Sequence, residues 1–129
     1  AQEAARLMIP RGSGRIVNIA SDAAILPAVS GSHYNASKAG VLALTKSLAL
    51  EFAPYRIAVN AVAPGLTDTA QPRYGMTEEE IAVAGAATPW GRIATAEDVA
   101  RAVLYLASPL SEYVTGETVF VTGGSLMAP

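Results

Sequence analysis

The chain has 129 residues, enough for one domain with a buried core, and only 16% of them are charged, against roughly 25% in an average soluble domain. Its net charge of −2 argues against a nucleic-acid partner or an anionic membrane surface. With no cysteine, one histidine and no long apolar run, we expect no disulfide, no metal site, no membrane-spanning helix and a cytoplasmic location.

The first part of the chain predicts a helix, a strand and a second, longer helix. Residues 1–9 have the pattern of a helix end, which the proline and glycines of residues 10–14 terminate. A β-branched run at residues 15–21 predicts a buried strand. Good helix formers then continue without proline from 33 to 53. An apolar stripe at helical spacing on this helix consists of Val41, Leu44, Leu48 and Phe52.

The second part predicts strands at residues 57–63 and 118–121, with helices between them. Two capping boxes, in which side chains satisfy the first free amides of a helix, are indicated by the pairs Thr77–Glu80 and Thr95–Asp98. The second box begins a helix that extends to about residue 107. Strands separated by helices of this length cannot be hairpins, so a parallel α/β fold is predicted.

Several polar side chains follow the predicted strands. Ser21 ends the first strand, and Tyr34 and Lys38 stand one turn apart at the beginning of the long helix. Thr67 and Thr69 follow the Pro64-Gly65 turn after the second strand. Because the carboxyl ends of parallel strands meet at one edge of the sheet, these groups are expected to converge there. Taken alone, Tyr34 and Lys38 could be a solvated surface pair, and the two threonines could belong to an ordinary turn.

Taken together, the motifs resemble those of the short-chain dehydrogenase/reductase family. The resemblance depends on NIAS at 18–21, YNASKAG at 34–40, VNAVAPG at 59–65, PWGR at 89–92 and EDVA at 97–100. The greatest similarity is to 3-oxoacyl-carrier-protein reductases and related alcohol dehydrogenases. It implies that residues 1–129 are the catalytic carboxyl-terminal half of a single Rossmann-type domain. The parallel sheet would then be partial, with three strands and flanking helices, because the amino-terminal dinucleotide-binding half is missing.

The resemblance also implies roles for individual residues. Ser21, Tyr34 and Lys38 would be catalytic, with Tyr34 as the general acid/base in hydride transfer between NAD or NADP and a small alcohol or carbonyl substrate. The residues expected to bind the cofactor are Tyr34, Lys38, Pro64, Gly65, Thr67 and Thr69. Relatives of this kind form dimers or tetramers, so a homo-oligomer is expected. The fragment alone is expected to be inactive.

Other interpretations and residues remain open at this point. The chain could instead be a non-catalytic half-domain that acts only in assembly, or an incomplete fragment; a nucleotide-sugar epimerase would share the Tyr/Lys pair. Asp22 is expected to be solvated, and Asn60 to satisfy backbone groups. Trp90 could line the substrate pocket or belong to the core. The strand at 15–21 would normally pair with an upstream strand, so the isolated chain is expected to be unstable or oligomeric.

Overall fold

The computed structural model describes residues 1–27 and 29–127. Ala28 and the last two residues of the predicted 1–129 unit lie outside the described residues. The helices and strands follow the predicted order. They are α1 (Gln2–Met8), β1 (Gly14–Ile19), α2 (Ser32–Phe52), β2 (Ile57–Pro64), α3 (Glu78–Ala87), α4 (Ala96–Ala107) and β3 (Thr118–Val121).

The three strands form one parallel sheet in the order β1-β2-β3. Gly14 is opposite Ile57 at the start of the first pair, and Ile19 is opposite Val62 at its end. On the other side of β2, Pro64 pairs with Val121. The predicted parallel α/β fold is therefore confirmed. β2 is almost completely buried, as expected for a central parallel strand that is covered on both faces.

Helix α2 packs on the sheet through a face centred on Leu42, Thr45 and Ala49, all of which are buried. Of the predicted apolar stripe, Val41, Leu48 and Phe52 pack against the core clusters. The fourth member, Leu44, is 51% exposed, so its assignment to that stripe is wrong. At about 100° per residue, Leu44 is roughly 130° away from the centre of the face that meets the sheet.

Both predicted capping boxes are confirmed. Thr77 accepts a hydrogen bond from the Glu80 amide at 3.2 Å, and the Glu80 carboxylate accepts one from the Thr77 amide at 2.7 Å. Thr95 and Asp98 make the same exchange at the start of α4, at 3.2 and 2.8 Å. Arg92 adds a short contact of 2.6 Å between its guanidinium and the Asp98 carboxylate. Asp98 of the second box therefore also belongs to an ion pair with Arg92.

A buried amide connects β2 to the segment that leads into β3. The Asn60 side chain donates to the Val114 carbonyl at 2.9 Å and accepts from the Glu117 amide at 3.0 Å. Asn60 is 1% exposed, so both polar ends of its side chain need such partners. The prediction that Asn60 satisfies neighbouring backbone groups is confirmed.

In the part of the chain that the structure describes, strand β1 lies at an edge of the sheet and has one neighbouring strand, β2. The Ala20 amide just beyond it donates to Val62 at 2.8 Å. Since hydrogen-bonding direction alternates along a parallel strand, the amides of Val17 and Ile19 point to the open side. Ile19 is 49% exposed. Within the described ranges, no helix combines the length and apolar character needed to cross a bilayer.

Asp98 makes a pH-dependent contribution to the stability of the fold. The Arg92 guanidinium and the Thr95 amide hold the pKa of the Asp98 carboxyl well below its ordinary value. The carboxylate therefore stabilises the fold fully above the unfolded-state pKa of about 4 and progressively less as the pH falls below it. We expect Asp98→Asn to lower the melting temperature at neutral pH and the difference from the natural sequence to shrink in acid, as measured by circular dichroism.

The matched control is Glu97→Gln, which removes an exposed negative charge from the same first turn of α4. It should leave the acid dependence of the melting temperature close to that of the natural sequence. A difference between Asp98→Asn and the natural sequence that is as large in acid as at neutral pH would contradict the assignment.

The open edge of β1 predicts that the isolated chain self-associates. Val17→Pro removes one amide that points away from β2 and leaves the bonds between β1 and β2 in place, so it should weaken association. Sedimentation velocity over a wide concentration range measures the effect, with Val17→Thr as the control that retains the amide. A monomer with a sharp two-state melt at all concentrations would refute the prediction.

Candidate active site

The carboxyl ends of β1 and β2 lie side by side because Ile19 pairs with Val62 in the parallel register. A cavity of about 640 Å³ opens at this edge of the sheet. All of the site residues predicted from the sequence line it. They are Ser21, Tyr34, Lys38, Pro64, Gly65, Thr67 and Thr69.

Ser21 follows β1 and is 8% exposed. The strand ends at Ile19 rather than at the predicted residue 21, and Ser21 caps the short 3₁₀ turn that follows. Its Oγ accepts a hydrogen bond from the Ala23 amide at 3.2 Å and donates to Asp22 Oδ1 at 3.1 Å. These two contacts fix the hydroxyl at the wall of the cavity.

Tyr34 and Lys38 lie in the first two turns of α2, as the spacing predicts. The Lys38 ammonium is 5.7 Å from the centroid of the Tyr34 ring, within the range of a cation–π contact. Its Nζ also donates to the Ile19 carbonyl at 3.3 Å. Lys38 therefore connects α2 to the end of β1 and holds a positive charge beside the phenol.

The segment after β2 forms the opposite wall of the cavity. The Gly65 amide donates to the Val121 carbonyl at 3.0 Å, and the Thr67 hydroxyl donates to the Gly65 carbonyl at 2.9 Å. A Cβ at Gly65 would lie 3.3 Å from Asp22 Oδ2, a tight contact that glycine avoids. Thr69 Oγ1 lies 3.5 Å from the Thr67 carbonyl, which is a long contact, so this hydroxyl is open to a better partner.

An exposed ion cluster holds the chain between Thr69 and α3. The Arg73 guanidinium contacts the Asp68 carboxylate at 2.8 Å, the Glu78 carboxylate at 2.6 Å and the Thr69 carbonyl at 2.7 Å. The hydrogen bonds to Glu78 and Asp68 raise the pKa of Arg73 above its ordinary value. This cluster fixes the backbone at Thr69, the last of the predicted cofactor-binding residues.

The donor set around the cavity fits the nicotinamide end of a dinucleotide. An ammonium, a phenol and threonine hydroxyls from Lys38, Tyr34, Thr67 and Thr69 line one space. The absence of a side chain at Gly65 keeps the backbone of that wall accessible. Lys38, Tyr34 and the turn at Gly65 would hold such a group.

Two side chains differ from their predictions. Asp22 is half-buried, lines the cavity and accepts the Ser21 hydrogen bond, so it has a partner in the cavity wall that the expectation of a solvated side chain did not include. Trp90 is 72% exposed and is not part of the described lining of this cavity. It therefore belongs neither to the core nor to this pocket.

The cavity also has lining residues that the sequence reasoning missed, among them Leu26, Gln71 and Val99. Val99 comes from the first turns of α4, far along the chain from Ser21. No local pattern signals such long-range neighbours. For Asp22 a signal existed, because it directly follows the serine that ends the strand.

Comparison with known proteins gives a consistent set of relatives. A family model described as enoyl-(acyl carrier protein) reductase matches residues 1–125. A 3-oxoacyl-[acyl-carrier-protein] reductase of Aquifex aeolicus is 42% identical over 95% of this chain and 49% of its own length. A 3alpha-hydroxysteroid dehydrogenase of Mediterraneibacter gnavus is 44% identical over 96% of this chain and 49% of its own length.

Solved structures agree with these sequences. The crystal structure of an acetoin dehydrogenase from Salmonella typhimurium matches with a TM-score of 0.81 and 37% identity, covering 95% of this chain and 47% of that one. A protein described as a short chain dehydrogenase/reductase family protein matches with a TM-score of 0.85 and 40% identity, covering 94% and 49%. The chain thus spans about half the length of the relatives it matches.

Proposed function

Because the chain belongs to the short-chain dehydrogenase/reductase family, we propose that residues 1–129 are the catalytic carboxyl-terminal half of a Rossmann-type domain. The complete protein would transfer a hydride between NAD or NADP and a small alcohol or carbonyl compound. The single observation that supports this most is that Ser21, Tyr34 and Lys38 line one cavity at one edge of the sheet. The other half of the domain would hold the rest of the dinucleotide.

The three side chains have complementary tasks in this proposal. Carbonyl reduction needs a hydride on carbon, which the nicotinamide supplies when bound, and a proton on oxygen. Tyr34 would give that proton, and it would take it back in alcohol oxidation. The Lys38 ammonium, near the Tyr34 ring, would stabilise the negative charge left on the phenol oxygen. Ser21 would hydrogen-bond the substrate oxygen where charge develops.

The wall formed by Pro64 and the residues after it would contact the nicotinamide. Gly65 lets its backbone approach closely. Thr67 already uses its hydroxyl on the Gly65 carbonyl, so it would contribute mainly backbone groups. Thr69 would contribute its hydroxyl, since its contact to the Thr67 carbonyl is long.

A homo-oligomer, a dimer or tetramer, is the proposed form of the complete protein. Leu44 and Leu50 on α2 and Leu104 on α4 are largely exposed, and apolar side chains of this size favour burial against another surface. Light scattering on the complete protein would measure its mass, and a monomer would contradict this part of the proposal.

The test of the catalytic assignment is Tyr34→Phe, which removes only the phenol oxygen. The variant is made in a joined polypeptide, in which an amino-terminal half precedes this chain. That half is either the protein's own or that of the Aquifex aeolicus relative. Loss of a general acid should lower kcat by about 10²- to 10⁴-fold, measured as carbonyl-dependent oxidation of NADH or NADPH. Tyr113→Phe, at a fully exposed tyrosine, is the control.

Retention of more than a few per cent of the rate in Tyr34→Phe would overturn the assignment. The isolated chain is expected to show no turnover and little quenching in an NADH fluorescence titration. A joined polypeptide that folds but neither binds the dinucleotide nor turns over would support the other candidate, a half-domain that acts only in assembly.

A further inference from the structure

One charged side chain in the cavity has no task in the proposed mechanism. Asp22 is half-buried, and its Oδ1 accepts the Ser21 hydroxyl at 3.1 Å. Its Oδ2 stands against Gly65, where an added Cβ would come within 3.3 Å. The carboxylate is therefore held between the two walls of the cavity, directly beside the serine proposed to hold the substrate oxygen.

The charges that line the cavity are unevenly placed. Within its described lining, Asp22 and Lys38 are the only charged side chains. The Lys38 ammonium contacts the Ile19 carbonyl and the Tyr34 ring, whereas the Asp22 carboxylate contacts Ser21 itself. Of these two charges, the negative one is therefore in direct contact with Ser21.

The distance involved is short enough to affect binding. A serine hydroxyl has one proton, so Ser21 gives up its hydrogen bond to Asp22 when it donates to a substrate carbonyl oxygen. With Ser21 Oγ 3.1 Å from Asp22 Oδ1 and a new hydrogen bond of about 3 Å, that oxygen still lies within roughly 6 Å of the carboxylate. A substrate with a negative charge close to that oxygen would bind about tenfold more weakly in a partly solvated site, because the Asp22 carboxylate repels that charge. An uncharged substituent at the same position would not meet this repulsion.

We propose that Asp22 is a specificity-determining residue that disfavours substrates with a carboxylate or phosphate next to the reacting carbonyl. Uncharged ketones and secondary alcohols are then the favoured class. The inference rests on the proposed function, because it takes Ser21 as the group that holds the substrate oxygen.

The test compares pyruvate with methyl pyruvate, which differ in charge next to the same reacting carbon. In the joined polypeptide, Asp22→Asn retains an oxygen that can accept the Ser21 hydrogen bond and removes the charge. We expect the ratio of kcat/KM for the ester to that for the acid to fall about tenfold. Using the ratio cancels the difference in intrinsic reactivity between the two compounds. Glu112→Gln, at an exposed position, is the control and should leave the ratio unchanged.

A second measurement separates this inference from the proposed function. Binding of both compounds is followed by NMR through the amides of Ser21, Ala23 and Gly65, in a Tyr34→Phe background and in the same background with Asp22→Asn. If loss of the Asp22 charge raises the affinity for pyruvate about tenfold relative to the affinity for its ester, the inference is supported even if no variant turns over. Unchanged ratios in both measurements overturn it, and do so even if the enzyme is active.

Discussion

The parallel pairing of three strands is the constraint on which the site depends. Because β1 and β2 run in the same direction and Ile19 is opposite Val62, the residues that follow the two strands emerge at one edge. Ser21 and Gly65 thereby face one cavity. β3 completes this arrangement, since its last residue, Val121, accepts the Gly65 amide. An antiparallel strand in the middle would send these residues to opposite ends of the sheet.

The parts of the fold that could be predicted are those encoded by nearby residues. The two capping boxes need four residues each, and both form as the spacing indicates. The strands and their parallel order also follow from local patterns and from the helices between them. The sequence further indicates which seven residues share the cavity, although their chemical roles remain predictions. Motifs identify such residues because they occupy the strand ends and the first turns of a helix.

The features that could not be predicted depend on contacts between distant segments. Leu44 has the right spacing for a core stripe, but the face of α2 that meets the sheet is set by the position of β2. Trp90 is exposed although its size favours burial. Asp22 is drawn into the cavity wall by Ser21 and by the lack of a side chain at Gly65, which lies more than forty residues later. The hydropathy and the spacing of residues along the sequence do not indicate such contacts between distant segments.

The side-chain amide of Asn60 has a consequence for how the chain is made. Both of its partners, at Val114 and Glu117, come more than fifty residues later in the sequence. They are therefore synthesised long after β2, the strand that contains Asn60. The helices that begin with capping boxes can form meanwhile, because their signals are local. A nascent chain halted before residue 114 would therefore leave its most apolar strand open on one side, in the state where chaperones bind and aggregates start.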